Sequence, residues 1–241
     1  MTPTLKDLLA AGADASPALS APGRQPISHG ELRALIQRTL ATLNGLGIGR
    51  NDRVAIVLNN GPEMAACYMA CASGVTSAPL NPAYRADEFE FYLSDLNAKA
   101  LIVEQGSTSP AIEVAVKLGV RLIDLVVPEG APAGAFTLVA RDARVETPAA
   151  HPGYAEPDDV SMVLHTSGTT SRPKIVPLSQ RNLAASATHI RNTLQFTAAD
   201  CGLNIMPLFH IHGLIAGVLA PLAAGSQVYC TPGFNALKFF G

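Results

Sequence analysis

The chain has 241 residues, of which 48% are hydrophobic and 15% are charged, and its formal net charge is −2. This length and apolar content allow a large buried core, in one α/β domain or in two smaller ones. The near-neutral charge, without a block of like charges, argues against nucleic acid or an anionic membrane as a partner. No uncharged apolar run reaches the roughly 18 residues of a membrane span, and the N-terminus lacks a signal-peptide pattern. These features favour a cytoplasmic protein.

The cysteines Cys67, Cys71, Cys201 and Cys230 are scattered among apolar neighbours. Cys67 and Cys71 are four residues apart and would share one face of a helix, but no His or Asp stands near them to complete a metal site. We therefore expect buried, reduced thiols and no protein-bound metal ion.

The first half of the chain alternates between strand and helix patterns. Residues 1–27 are rich in Ala, Pro and Gly and are predicted to form an arm on the surface. Ser28 and Glu31 have the spacing of a capping box, which predicts the start of a helix. In a first α/β region, residues 28–127, predicted strands cover residues 53–58, 75–80, 99–103 and 121–126, and further helices cover residues 63–73, 85–97 and 109–118. This alternation favours right-handed βαβ units and a parallel, doubly wound sheet.

The second half follows a proline-rich interruption. Residues 128–157 contain a weak strand at 136–140, and we interpret them as a surface connection between two subdomains. A second α/β region, residues 158–241, has predicted strands at 160–165, 203–206 and 227–230 and predicted helices at 179–194 and 214–223. The predicted fold class is therefore α/β, with mixed, largely parallel doubly wound sheets in two subdomains. The chain ends without a closing signal, which we interpret as an incomplete domain.

Residues 165–174 form the most informative stretch, a hydroxyl-rich loop with a lysine between a predicted strand and a predicted helix. Hydroxyl and backbone N–H groups beside an ammonium group are suited to bind a polyphosphate. The stretch is not a Walker loop, because Pro173 precedes Lys174 and Gly168 is its only glycine. The chain also lacks the dinucleotide pattern Gly-x-Gly-x-x-Gly and the hydrolase pattern Gly-x-Ser-x-Gly, so Ser167 is a poor candidate nucleophile.

Residues 166–176 resemble the phosphate-binding signature of the adenylate-forming, or AMP-binding, superfamily of acyl-CoA synthetases, adenylation domains and luciferases. That signature reads Thr-Ser-Gly-Thr-Thr-Gly-x-Pro-Lys-Gly-Val, and eight of its ten specified positions match, with Ser171 and Ile175 in place of two glycines. The resemblance extends to residues 52–56, 79–84 and 207–213, and therefore covers nearly the whole chain. Within the superfamily, residues 165–174 and 207–214 are most similar to the oxalate–CoA ligases.

The resemblance implies the large N-terminal domain of an acid–thiol ligase that works in two steps. A carboxylate attacks the α-phosphate of Mg²⁺-bound ATP to give an acyl-adenylate and pyrophosphate, and the thiol of coenzyme A then displaces AMP. No protein nucleophile is needed, so catalysis depends on positioning and on neutralising phosphate charge. The expected acid is small, with oxalate favoured. Because the small C-terminal domain is absent from the chain, we expect these 241 residues alone to be inactive.

The same resemblance assigns the candidate site residues. The residues expected to bind the phosphates of ATP are Thr166, Ser167, Gly168, Thr169, Thr170 and Lys174. His210 is the catalytic candidate, because this position borders the carboxylate and the α-phosphate in the family, and the acid pocket is expected to contain His210, His212 and Gly213. A dianionic acid requires cationic or hydrogen-bonding groups, and His212 is a candidate for one of them. His165 is either part of the site or a residue that ends the strand.

Three alternatives remain open. Two keep the fold and change the substrate, namely a medium-chain or aryl acyl-CoA ligase and an adenylation domain that loads a carrier protein. The third is a non-catalytic fragment that binds anions or a protein partner. A peroxisomal location is an alternative to the cytoplasm, because a targeting tripeptide would follow residue 241.

Overall fold

The structure, a computed structural model, describes residues 3–142, 147–166 and 173–237. Its helices are α1 (Leu5–Leu8), α2 (His29–Gly45), α3 (Pro62–Ala72), α4 (Ala86–Asp95), α5 (Ala111–Leu118), α6 (Gln180–Thr193), a π-helix (His212–Leu219) and α7 (Ala220–Leu222). Its strands are β1 (Pro17–Ser20), β2 (Ile27–Ser28), β3 (Arg53–Val57), β4 (Thr76–Pro79), β5 (Ala100–Glu104), β6 (Arg121–Val126), β7 (Thr137–Ala140), β8 (Val160–Thr166), β9 (Lys174–Ser179), β10 (Cys201–Asn204) and β11 (Gln227–Cys230).

The larger sheet has the strand order β7-β6-β5-β3-β4-β8-β9. Its five interior strands are parallel, and β7 and β9 pair antiparallel at the two edges. In β3, Val54 and Ile56 pack in the same cluster as α2 and α3, whereas Ala55 and Val57 pack with α4 and α5. Burial on both faces explains the continuous apolar run of this strand. The predicted mixed, largely parallel α/β fold is confirmed.

The predicted surface arm is wrong, because α1, β1 and β2 contribute buried side chains to the core. β1 lies inside the smaller sheet, whose order is β10-β11-β1-β2, and Leu5, Ala18 and Leu19 have no exposed surface. The backbone N–H of Leu5 also donates to Oε1 of Gln180 at 3.0 Å. The Ala- and Pro-rich composition of this segment hid a short strand that is buried by tertiary pairing.

The predicted division at residues 128–157 is also wrong. Residues 158–241 are predicted to form a second region, but β8 within that range pairs with β4, and β8 and β9 both belong to the larger sheet. The connection leaves that sheet after β7 and returns to it, held by Arg50, which donates to Glu156 and Asp159 at 2.6 Å each. The switch to the smaller sheet comes later, after α6.

Predictions from local sequence patterns agree with the structure better than the predicted division into two regions does. Ser28 caps α2, and its hydroxyl accepts from the N–H of Glu31 as the capping box predicts. Cys67, Cys71 and Cys230 are buried, as expected, but Cys201 is exposed at the start of β10. The helix predicted at residues 214–223 is instead a π-helix followed by α7. Within the described ranges, no helix combines the length and the apolar character needed to cross a membrane.

Candidate functional site

The base of the hydroxyl-rich loop is an antiparallel hairpin of β8 and β9. Thr166 pairs with Lys174 and His165 pairs with Ile175, while residues 167–172, which include the predicted ligands Ser167, Gly168, Thr169 and Thr170, lie outside the described residues. Directly opposed residues in antiparallel strands have neighbouring side chains on one face. Thr166 and Lys174 are both exposed, so a hydroxyl and an ammonium group face solvent together where the loop begins and ends. Ile175 replaces a family glycine, and the extended backbone of β9 accommodates its β-branched side chain.

His165 in β8 is held in place by contacts with two side chains of α4. Its side chain is 5% exposed, and its Nε2 lies 3.0 Å from Oδ2 of Asp95, a carboxylate that accepts the hydrogen bond. The ring meets the ring of Tyr92 edge to face at a centroid distance of 4.6 Å. Burial lowers the pKa of His165, and Asp95 offsets only part of that effect, so the imidazole is neutral near pH 7. This histidine therefore fixes the end of β8 against α4.

A cavity of about 270 Å³ brings together the two sequence motifs. Thr166 and His165 line it from the hairpin, and His210 lines it from the segment that follows β10. Its aromatic wall is formed by Tyr84 and Tyr92, whose rings stack at 4.8 Å with an interplanar angle of 13°. A phosphate-sized polar group and a planar apolar group would each find a suitable surface here. Tyr84 belongs to the stretch that carries the family resemblance and Tyr92 to the predicted helix of residues 85–97, but neither residue is among the predicted site residues.

The segment that carries His210 is fixed by three contacts. Leu208 is 1% exposed and anchors the segment in the core. Asn60, in the turn after β3, donates from Nδ2 to the carbonyl of Met206 at 3.0 Å and accepts the Leu208 N–H at Oδ1 at 2.8 Å. A Cβ on Gly213 would lie 2.4 Å from the carbonyl oxygen of Pro207, so only glycine permits this close approach.

The other predicted pocket residues lie at the start of the π-helix. His212 is exposed and Gly213 is buried, and neither lines the cavity that contains His210. Gly213 instead supports the segment that carries His210 through its close packing against Pro207. π-Helical turns are frequent at functional sites, where the extra residue redirects side chains.

A second cavity, of about 900 Å³, adjoins the first. Phe209 lines both, and the larger cavity is otherwise formed mainly by apolar residues such as Met206, Pro207 and Phe234, with Asn60 at one side. Both cavities lie where parallel strands of the two sheets end, next to the turns after β3, β4, β10 and β11. Ligands of open α/β sheets bind in such crevices beyond the carboxyl ends of the strands.

The described residues offer no ligand set for a resident metal ion. Within residues 3–142, 147–166 and 173–237, no group of three or more His, Cys, Asp or Glu side chains comes together as metal ligands would. The polar groups around the smaller cavity are hydroxyl, amide and imidazole groups, with Lys174 at its rim strand. This donor set suits an anion better than a cation.

Comparison with known proteins places these features in one family. The profile of a family described as "AMP-binding enzyme" matches residues 9–240. An oxalate–CoA ligase of Arabidopsis thaliana is 39% identical over 213 residues, which are 88% of this chain and 41% of the relative. A 4-coumarate–CoA ligase 3 of Oryza sativa subsp. japonica is 30% identical over 206 residues, which are 83% of this chain and 37% of the relative.

The fold is also found in solved structures. The crystal structure of ATP-bound MatB from Rhodopseudomonas palustris has a TM-score of 0.78 and 26% sequence identity, over 99% of this chain and 47% of that protein. The chain thus spans about 40% of the length of the curated relatives that it matches.

Proposed function

The chain belongs to the family of AMP-binding enzymes, and we propose that it forms the nucleotide-binding part of an acid–thiol ligase. The reaction is the ATP-dependent conversion of a small carboxylic acid into an acyl-adenylate, followed by transfer of the acyl group to coenzyme A. The observation that supports it most directly is the shared cavity of Thr166 and His210, with Lys174 paired opposite Thr166. Two motifs about forty residues apart in the sequence thus meet at one anion-suited site.

The hairpin is the proposed phosphate site. Thr166 and Lys174 flank the loop of residues 167–172, and we assign the β- and γ-phosphates of ATP to Thr166, Lys174 and the loop residues Ser167, Gly168, Thr169 and Thr170. The ammonium group balances charge that accumulates on the departing pyrophosphate, and hydroxyl and N–H groups fix its oxygens. Mg²⁺ enters this proposal as part of the substrate, since it is usually bound through nucleotide phosphates with few protein ligands.

His210 is the proposed contact at the reacting atoms. It lines the cavity that Thr166 also lines, and we assign the meeting point of the α-phosphate and the attacking carboxylate to this cavity. A hydrogen bond from the imidazole to either oxygen would orient the attack without a covalent intermediate on the protein. His212 and Gly213 are kept as predicted pocket residues, with Gly213 acting through the backbone that it supports.

Oxalate is the proposed acid. The 39% identity with an oxalate–CoA ligase supports it, and a small cavity with polar groups suits a short dianion. The competing proposal is a larger acid, aryl or medium-chain, whose apolar part would occupy the adjoining cavity of about 900 Å³. The 30% identity with a 4-coumarate–CoA ligase supports this second candidate.

The nucleotide site can be tested on the 241-residue chain by titration calorimetry with Mg²⁺-ATP. We expect Lys174→Ala to weaken ATP binding about tenfold, because a charge-assisted hydrogen bond is lost. Lys117→Ala is the matched control, since Lys117 is an exposed lysine of α5 paired with Glu90 outside both cavities. Equal ATP affinities in the two variants would contradict the assignment of Lys174, and no ATP binding by the unsubstituted chain would favour the alternative of an interaction fragment.

The acid can be identified with the product of the complete reading frame that encodes this chain. Pyrophosphate release is measured with oxalate, malonate, acetate and 4-coumarate at equal concentration. Release that is fastest with oxalate and depends on His210 supports the proposal. A preference for 4-coumarate or a longer acid would overturn oxalate and favour the larger cavity as the acyl site.

A further inference from the structure

Asn60 is a polar side chain in the turn between β3 and α3, outside every predicted site motif. It follows β3 of the larger sheet, whereas both of its hydrogen-bond partners follow β10 of the smaller sheet. It donates to the carbonyl of Met206 at 3.0 Å and accepts from the N–H of Leu208 at 2.8 Å. One side chain therefore joins the two sheets at the point where both cavities lie.

The chemistry of these two bonds is specific to an amide. The carbonyl of Met206 can only accept and the N–H of Leu208 can only donate, so the residue at position 60 must supply one donor and one acceptor. This requirement also fixes which end of the amide faces which partner. An ionised Asp would offer the acceptor alone, and an aliphatic residue would offer neither group.

The segment that Asn60 contacts has few other supports among the described residues. The Met206 carbonyl also accepts from Nδ2 of Asn204, but at the longer distance of 3.3 Å. Leu208 is buried at 1% exposure, whereas His210, two residues later, is exposed on the cavity. The orientation of Leu208 thus sets the direction in which the chain continues to His210.

We infer that Asn60 is a positioning residue, which fixes the backbone of residues 206–208 and thereby holds His210 at the cavity that it shares with Thr166. Its effect on ATP rests on the proposed function, whereas its effect on the backbone does not. Asn60 does not line the cavity of His210 and lines only the larger neighbouring one. It acts through the segment and not through contact with the reacting atoms.

Asn44 provides a matched control. It is half-buried like Asn60 and makes the same pair of bonds, from Nδ2 to the carbonyl of Ile48 at 2.8 Å and from the N–H of Gly153 to Oδ1 at 2.7 Å. It lies at the end of α2 and lines neither cavity. Loss of its side chain removes equivalent bonds far from His210.

The test compares Asn60→Ala, Asn60→Asp and Asn44→Ala in the 241-residue chain by two measurements. The first records the backbone amide signals of Leu208, Phe209 and His210 by NMR. We expect large shifts in Asn60→Ala, smaller ones in Asn60→Asp at pH 7.5, and none in Asn44→Ala. As the pH falls through the reference carboxyl pKa of about 3.9, the introduced carboxyl gains an O–H donor, so the signals of Asn60→Asp should return towards those of the unsubstituted chain at the same pH.

The second measurement is the affinity for Mg²⁺-ATP. We expect about tenfold weaker binding in Asn60→Ala, because two hydrogen bonds that orient the segment are lost, and less than a twofold change in Asn44→Ala. Unchanged amide signals in Asn60→Ala, or equal shifts of these signals in Asn44→Ala, would overturn the inference. ATP binding that persists undiminished in Asn60→Ala would also overturn it. If the unsubstituted chain binds no ATP, the proposed function fails while the amide signals still decide the role of Asn60.

Discussion

The two regions that meet at the smaller cavity are held in different ways. The β8–β9 hairpin is a backbone ladder, with paired residues from Val160 and Ser179 to Thr166 and Lys174. The segment of residues 206–213 has no ladder and depends on Asn60, on the buried side chain of Leu208 and on the close packing of Gly213 against Pro207. Backbone ladders persist through most side-chain changes, whereas a segment fixed by a few side chains depends on each of them.

This difference suits the proposed roles. A phosphate loop needs fixed ends, because its ligands are hydroxyl and backbone groups whose direction follows the backbone. A segment that presents His210 to a changing substrate needs a defined position, but one set by contacts that can adjust locally. The comparison therefore predicts that substitutions of similar size will have unequal effects in the two regions.

The largest effect is expected from Leu208→Ala. Truncation of a fully buried Leu typically costs about 2–5 kcal/mol of unfolding free energy, because a cavity remains in the core. Urea denaturation measures this cost, with Leu203→Ala as the control, since Leu203 in β10 is 50% exposed. A loss in Leu208→Ala no greater than that in Leu203→Ala would show that Leu208 does not anchor the segment.

A somewhat smaller effect is expected from Gly213→Ala. The added Cβ would lie 2.4 Å from the Pro207 carbonyl oxygen, and the backbone shift needed to relieve this contact should cost about 1–3 kcal/mol. Gly45→Ala, at the end of α2, is the control, because nothing lies within 4 Å of the added atom. There we expect no loss of stability, since Ala favours a helix more than Gly does. Equal stabilities of the two variants would refute the close packing of Gly213.

On the hairpin side, Val176→Ala should have a minor effect. Val176 in β9 is half-buried and lines the smaller cavity, but its backbone pairing with Leu164 remains after the change. We expect a loss of unfolding free energy of about 1 kcal/mol or less. A loss comparable to that of Leu208→Ala would remove the contrast between the two regions.

The smallest effect is a change in the pH dependence of stability. Burial lowers the pKa of His165 in the folded chain, so between the folded and the unfolded pKa the unfolded chain binds more protons. Stability is therefore full above the unfolded value, near 6.5, and decreases as the pH falls through this interval. Burial lowers the pKa of His29 as well, so His165→Gln should make the decrease between pH 7.5 and 5 shallower without abolishing it.

His189→Gln serves as the control for that measurement, because His189 is exposed on α6. Stability is measured by urea denaturation across the same pH range for all three proteins. A slope in His165→Gln identical to that of the unsubstituted chain would mean that the burial of His165 does not couple proton binding to folding.

Local chemistry accounts for what the sequence could predict. The β-branched run of β3, the capping box of Ser28 and Glu31 and the helix after Ser179 all depend on interactions within a few residues. The family resemblance also predicts that residues 166–174 and 207–213 belong to one site; Thr166 and His210 line one cavity, and their roles stay a prediction. The residues that determine each of these local features lie within it or next to it in the sequence.

The remaining features depend on partners that are distant in the sequence. β9 was missed because it contains Pro177, and proline is tolerated here since β9 is an edge strand of the sheet. The assignment of β8 and β9 to the larger sheet required their pairing, which no local pattern shows. Asn60 carried no signal either, because an Asn in a turn is ordinary until the chain near Met206 is placed beside it.

The position of β1 between β11 and β2 has a consequence for how the chain is made. Leu19 pairs with Val228, so β1 can pair with β11 in the smaller sheet only after the residues between the two strands have been synthesised. Pairings of such long sequence separation form late and slowly. Until β11 is in place, the apolar face of β1 is exposed unless another protein binds it. Cells that produce this protein should therefore show nascent chains bound to chaperones at segments that contain β1, and release should follow the synthesis of β11.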